Sequence, residues 1–190
     1  MRTIIVAVGL ITAFAAQAIA RADDPYSSID AMRVAFSQVQ SATAIERFGT
    51  GEKVRVDYNA PNRYRITMPQ SQIVLTGTTE YSRRNGGQWL PSSRGAIHQQ
   101  MLQATWLLAG TPGTDLRKLY TISSLGSREI NGVPARGYLL KDKGGAYTER
   151  VWVGTDNLPV LATIDMPDQT IRIHYSQYNA SRLVATPMQP

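Results

Sequence analysis

Residues 54–68, VRVDYNAPNRYRITM, alternate apolar and polar twice, with an Asn-Ala-Pro-Asn linker between the runs. Val54, Val56, Tyr58, Tyr64, Ile66 and Met68 fall on one side, and Arg55, Asp57, Arg63, Arg65 and Thr67 on the other. A period of two places successive side chains on opposite faces of a strand, so this pattern predicts a hairpin with one apolar and one wet face. The same period continues along the chain. It predicts strands at 43–49, 52–58, 62–68, 71–76, 79–84 and 87–90, then at 118–124, 127–131, 134–141, 146–153, 158–165 and 169–178. Gly49-Thr-Gly51, Gly77 and Asn85-Gly86-Gly87 supply turn signals. Gly86-Gly87 and Gly144-Gly145 read as hairpin turns that need positive φ.

Two segments follow the helical period instead. In residues 27–40, Ile29, Met32, Phe36 and Val39 form one apolar stripe, with Ser27 or Ser28 available as the cap. In residues 95–109, Ile97, Met101, Trp106 and Leu108 fall mostly on one side, and Gly110, Thr111, Pro112 and Gly113 end the segment. The order is helix, strand meander, helix, strand meander, with no interdomain linker, low-complexity segment or repeat. Short connections between consecutive strands make one antiparallel sheet. A sheet of about eleven strands must curl or close. The expected fold is therefore mainly β with two helices (α+β), the helices covering the concave face of a single domain.

The amino terminus bears on the compartment. Met1-Arg2 is a positive start, Thr3 to Ala16 is apolar with one glycine, and Ala20-Arg21-Ala22 is a small-x-small exit. That order describes a secretory signal over residues 1–22, cleaved near Ala22. The apolar run is too short to span about 30 Å of hydrocarbon comfortably. The expected mature domain is 23–190, soluble and periplasmic, with no integral membrane segment. The sequence contains no cysteine, so neither a disulfide framework nor an acylated cysteine is expected. With Arg2 and Arg21 removed, the formal net charge falls from +6 to +4. Arg55, Arg63, Arg65, Arg150 and Arg172 spread this excess over the polar sides of alternating runs. No basic block or nucleic-acid motif is present, so nucleic acid is not an expected partner.

Candidate chemistry is sparse. The two histidines, His98 and His174, have no metal-ligand spacing between them. There is no Gly-x-Ser-x-Gly elbow, dinucleotide fingerprint or phosphate-binding loop. Asp165 and Asp168 flank Met166-Pro167 and read as turn acids that cap backbone amides. No catalytic residue, metal site or cofactor is assigned, and no enzyme activity is expected. The large apolar residues are more informative. Methionine and aromatic side chains suit a surface that adapts to variable ligands. A curved sheet can enclose ligand space. The candidate ligand-binding set is Met32, Phe36, Val56, Tyr64, Ile66, Met68, Ile73, Leu75, Trp89, Met101, Trp106 and Trp152. The alternative for each is packed core.

Residues 56–89, with a proline-containing turn before a Tyr/Arg-rich strand and then an apolar strand, Gly77 and Gly86-Gly87-Gln88-Trp89, resemble the LolA-like periplasmic lipoprotein carriers and their lipid-binding relatives. Gly126 to Ala135 resembles their Gly…Asn-Gly-Val-x-Ala turn, and Val151-Trp152-Val153 with Asn157-Leu158-Pro159 their later hairpin. Residues 172–187 resemble their closing strand and final proline. The resemblance covers most of residues 29–187. It implies an unclosed antiparallel β-barrel with a helical lid over an apolar cavity. In the carriers that cavity takes lipoprotein acyl chains, and in relatives it takes other lipids or serves envelope sensing. The resemblance also implies a lid-latching arginine, for which Arg33 and Arg47 are the candidates. The expected function is binding or carriage of a lipid or lipoprotein acyl chain. The alternatives are an envelope sensory or protein-interaction scaffold without bound lipid, and an enzyme acting on a hydrophobic small molecule.

Overall fold

The computed structural model describes residues 24–94, 113–180 and 184–187. The chain begins with helix α1 (Pro25–Ser37) and continues with β1 (Ser41–Phe48), β2 (Lys53–Asn59), β3 (Arg63–Thr67), β4 (Ser71–Thr76), β5 (Thr79–Arg84) and β6 (Leu90–Ser92). A short helix α2 (Leu116–Leu119) then leads into β7 (Tyr120–Ile130), β8 (Val133–Asp142), β9 (Thr148–Gly154), β10 (Pro159–Asp165) and β11 (Thr170–Ser176). The expected helix at 95–109 lies outside the described residues, as does the expected signal segment.

All eleven strands form one sheet in the order β6-β5-β4-β3-β2-β1-β11-β10-β9-β8-β7, with every pairing antiparallel. Each meander forms from neighbouring strands, and the two meanders are joined by the pairing of β1 with β11. The strands β6 and β7 stand at opposite ends of this order, so the sheet is curled but not closed into a barrel.

The register settles which face is which. Ala44 stands opposite Val56 on one side and Tyr175 on the other. Val56 pairs with Ile66, and Ile66 with Ile73. This apolar row faces α1, whose Ile29, Met32 and Phe36 join the same buried cluster. The hairpin at 54–68 is therefore oriented as its alternation predicts, apolar side inward. Its outer face holds the Arg55–Asp57 ion pair at 2.8 Å, and Thr43 donates to Asp57 at 2.7 Å.

Besides β6, which forms at Leu90–Ser92 rather than at the expected 87–90, three local features differ from the sequence expectation. Helix α1 starts at Pro25, with Asp24 rather than Ser27 or Ser28 as its cap: the Asp24 side chain accepts from the Tyr26 amide. Proline at the first helical position has its φ already set and its missing N–H needs no partner. The strands expected at 118–124 and 127–131 are one continuous strand, β7, irregular between Ser124 and Gly126. Gly126 has a φ of 82°, which lets the extra residue be absorbed as a bulge without ending the strand. The third feature is α2, a single turn capped by Asp115.

A second, smaller cluster lies on the convex face. Trp152 packs there with Ile130, Ala135 and Leu161. Its ring lies over Gly137, the residue opposite it on β8. A Cβ at 137 would meet ring carbons of Trp152 at 2.6 and 2.7 Å, while the Arg128 guanidinium stacks 3.7 Å from the ring centroid. The Gly137→Ala variant is expected to be destabilised by roughly 1–3 kcal/mol, because overpacking must displace a rigid indole held by its neighbours. Thermal melting checks this. An unchanged melting temperature with an unchanged tryptophan near-UV signal would show that the indole shifts freely.

Candidate ligand-binding face

Helix α1 crosses the concave face and is held there by both packing and polar contacts. At its start, the Tyr26 hydroxyl donates to the Tyr120 carbonyl at 3.2 Å and accepts from the Ile122 amide at 3.3 Å. The Arg117 guanidinium lies 4.1 Å from the Tyr26 ring centroid and pairs with Asp24 at 2.8 Å. Farther along, Phe36 meets Tyr175 and Tyr178 edge-on, each at 6.3 Å. Between them Arg33 is buried, and its Nη1 donates to Asp30 at 2.9 Å and to the Thr114 carbonyl at 3.1 Å. Arg33 thus ties α1 to the segment before α2. Arg47 is exposed on β1, opposite Lys53 and Arg172 on the convex face.

Eight of the twelve candidate residues come together under α1. Met32 and Phe36 project from the helix, and Val56, Tyr64 and Leu75 are buried beneath it. Ile66, Met68 and Ile73 are partly buried against the same cluster. Two candidates lie elsewhere. Trp152 sits on the convex face, as strict alternation with Val151 and Val153 requires. Trp89 lies before β6 with the Arg83 guanidinium 4.7 Å from its ring centroid, and Arg83 itself bonds Gln72 on the convex face. Met101 and Trp106 lie outside the described residues, as does His98.

The concave face also holds acids that sequence reasoning missed. Glu46 shares a row with Val54 and Ile173, and Glu149 a row with Ile164 and Leu140. Both are buried. Burial pushes the Glu46 carboxyl up to about 7 and the Glu149 carboxyl up to about 8, because a charge there loses its hydration. Neither Glu46 Oε1 nor Glu149 Oε1 has a hydrogen-bond partner among the described residues. Phenols share the same face. Burial raises Tyr64 to about 12, chiefly by desolvation. The Tyr120 and Tyr147 hydroxyls share a hydrogen bond of 2.6 Å, and burial raises both. Tyr175 is raised well above the ordinary phenol range by burial, then by Tyr178, Glu149 and Glu46. The signal for the acids was legible. Both stand at the apolar parity of their strands, Glu46 with Ala42, Ala44 and Phe48, and Glu149 with Val151 and Val153.

The arrangement is apolar, lined with neutral polar groups at neutral to mildly acidic pH, and suited to alkyl chains. Among the described residues, no group of three or more His, Asp or Glu could hold a metal ion. The Asp165 carboxylate accepts from Arg150 and from the Thr170 hydroxyl, a structural role at the β10–β11 turn. His174 lies on the convex face, where burial and then Arg172 and Arg47 hold its pKa down. Among the described residues, no helix is long and apolar enough to cross a membrane.

No protein-family model and no curated protein sequence matches the chain. Solved structures do. The Mycobacterium tuberculosis lipoprotein LppX superposes with a TM-score of 0.63 at 14% identity, over 84% of this chain and 97% of that one. LprF from Mycobacterium bovis superposes with a TM-score of 0.65 at 13% identity, over 87% and 97%. At such identities the likeness is one of fold alone.

Proposed function

We propose, from the fold shared with LppX and LprF and from the sequence's resemblance to the LolA-like carriers, that the protein binds and carries a lipid or lipoprotein acyl chain in the cell envelope. In this reading residues 1–22 direct export and are cleaved near Ala22, and the soluble domain 23–190 works in the periplasm. The observation that carries the reading is the apolar concave face, built from both meanders and crossed by α1 in a sheet that does not close. Burial of an acyl chain contributes about 0.8 kcal/mol per methylene, so such a face needs few polar groups to hold one. Release requires α1 to lift, and the Arg33 contacts to Asp30 and Thr114 oppose that movement.

The test is expression of the whole chain in a Gram-negative host, recovery from the periplasm, native mass spectrometry and organic extraction. The expected result is a mass that begins near Asp23 together with an extractable acyl lipid. An apo protein that takes up neither added phospholipid nor acylated peptide would overturn the reading. A scaffold function is favoured by one separate feature. Strand β7 is eleven residues long at an end of the sheet, and its residues 123–129 are exposed. An edge of that kind can accept a partner strand.

A further inference from the structure

The concave face is not uniform. Under α1 and across β1 to β4 it is apolar apart from the buried Glu46, but its chemistry changes at β5 and β6. Register places Ser82 opposite Ile73, Arg84 opposite Ser71 and Ser92 opposite Glu80, all on the concave side. These residues border a cavity of 410 Å³. Its apolar wall is Met68 and Ile73, which pack against the main core cluster. Its polar wall holds Ser71, Ser82 and Ser92, with Arg84 and Arg94. Arg83 and Glu80 also border it. Arg83 is committed to Gln72 and Trp89, and Glu80 is buried and engaged in its own contact. The Arg83 guanidinium is turned to the convex face, so the concave wall carries two guanidinium groups, those of Arg84 and Arg94, against one carboxylate.

We infer that this cavity is a headgroup subsite, and that the ligand of the concave face is an anionic amphiphile with a carboxylate or phosphate head on an acyl chain. This rests on the carrier reading above and narrows its ligand class. Met68 and Ile73 join the cavity to the apolar face, so a chain lying along the β3 and β4 rows brings its head to Arg84 and Arg94. Guanidinium groups present planar forks of donors that match carboxylate and phosphate oxygens. The Ser82 and Ser92 hydroxyls supply further donors without adding charge, and the Ser71 hydroxyl donates to Met68 Sδ at 3.7 Å. A neutral head gains no ionic contact with the exposed Arg84 and Arg94, whereas an anionic head is complementary to them.

The test uses the whole protein recovered from the periplasm and stripped of extractable lipid. Displacement of an uncharged apolar dye is measured with hexadecanoate, with hexadecanol and with inorganic phosphate. The expected result is that hexadecanoate binds more tightly than hexadecanol and that its advantage falls with salt. Arg84→Gln combined with Arg94→Gln should weaken hexadecanoate roughly tenfold or more and leave hexadecanol unchanged. Arg172→Gln on the convex face should change neither. If wild type takes up neither chain, the carrier reading fails and this inference with it. If wild type takes up both equally and the double variant matches it, the headgroup subsite alone is overturned. Inorganic phosphate that binds as tightly as hexadecanoate would overturn the amphiphile assignment.

Discussion

Replacing Glu149 with Gln is expected to raise the melting temperature at pH 8 and to flatten the fall in stability between pH 5 and pH 8. Glu149 is buried, and burial lifts its carboxyl from 4.5 to about 8. In the unfolded chain the same group ionises near 4.5. Between those values the folded protein holds a proton that the unfolded chain has lost. Stability then falls as pH rises, because the native state binds more protons. The contribution is fully favourable below about pH 4.5, declines through the window, and levels off above about pH 8. Glu46 adds a smaller decline that ends near pH 7. Each pKa unit corresponds to about 1.4 kcal/mol, so Glu149 contributes on the order of a few kcal/mol across its window. Glutamine keeps the shape and a donor but cannot ionise. At pH 5 it should behave much like the neutral acid, and at pH 8 it should melt on the order of 5–10 °C higher. Urea midpoints from pH 4.5 to pH 9 check this. A wild-type protein equally stable at pH 5 and pH 8 would sink the argument, as would a variant with the wild-type slope.

That carboxyl also shows where sequence reading falls short. Alternation located the faces well. The 54–68 hairpin, the strands at 71–76 and 79–84, and the apolar stripe of α1 follow directly from period and turn residues. The same rule also places Glu46 and Glu149 inward, yet an acid is ordinarily assigned to water whatever its parity. Only the neighbours explain why it stays: a neutral carboxyl can sit among phenols and apolar groups where a charged one cannot. Trp152 is the converse case. Its size suggested the apolar face, but parity put it on the convex side, where Gly137 makes room for the ring. The strands expected at 118–124 and 127–131 are one, because the positive φ of Gly126 absorbs a bulge within β7. The β1–β11 pairing that joins the meanders has no local sequence signal, since it links residues more than a hundred positions apart. The arginine and serine rim near β5 and β6 was hidden for a related reason. Ser71, Ser82, Arg84 and Ser92 come from three strands, and only register gathers them.

A pair of substitutions separates folding from binding on this face. Leu75 is 0% exposed and stands between Tyr64 and the buried Glu80. Leu75→Glu puts a second carboxyl beside Glu80 in an apolar core, without solvent to hydrate it. The loss should exceed about 4 kcal/mol, in the range reserved for buried unpaired charge, and the variant should be largely unfolded at 25 °C and neutral pH. Ile66 lies in the same face, between Val56 and Ile73, but is only partly buried. Ile66→Glu should remain folded with a lowered melting temperature, because its carboxylate can reach water. It should still lose uptake of an apolar dye roughly tenfold or more, since an acyl chain lying there would have to desolvate the charge. Arg65→Glu, one residue away on the convex side, should leave dye uptake intact. Circular dichroism melts and dye titrations of the three variants decide the matter. A Leu75→Glu protein that melts like wild type would mean the register is shifted by one residue, because a single slip exchanges the two faces of a strand. A folded Ile66→Glu protein with undiminished uptake would mean the dye, and by extension an acyl chain, binds away from the concave face. The joint outcome of an unfolded Leu75→Glu, a folded but dye-blind Ile66→Glu and an unaffected Arg65→Glu requires one face that is solid core at β4 and open to ligand at β3.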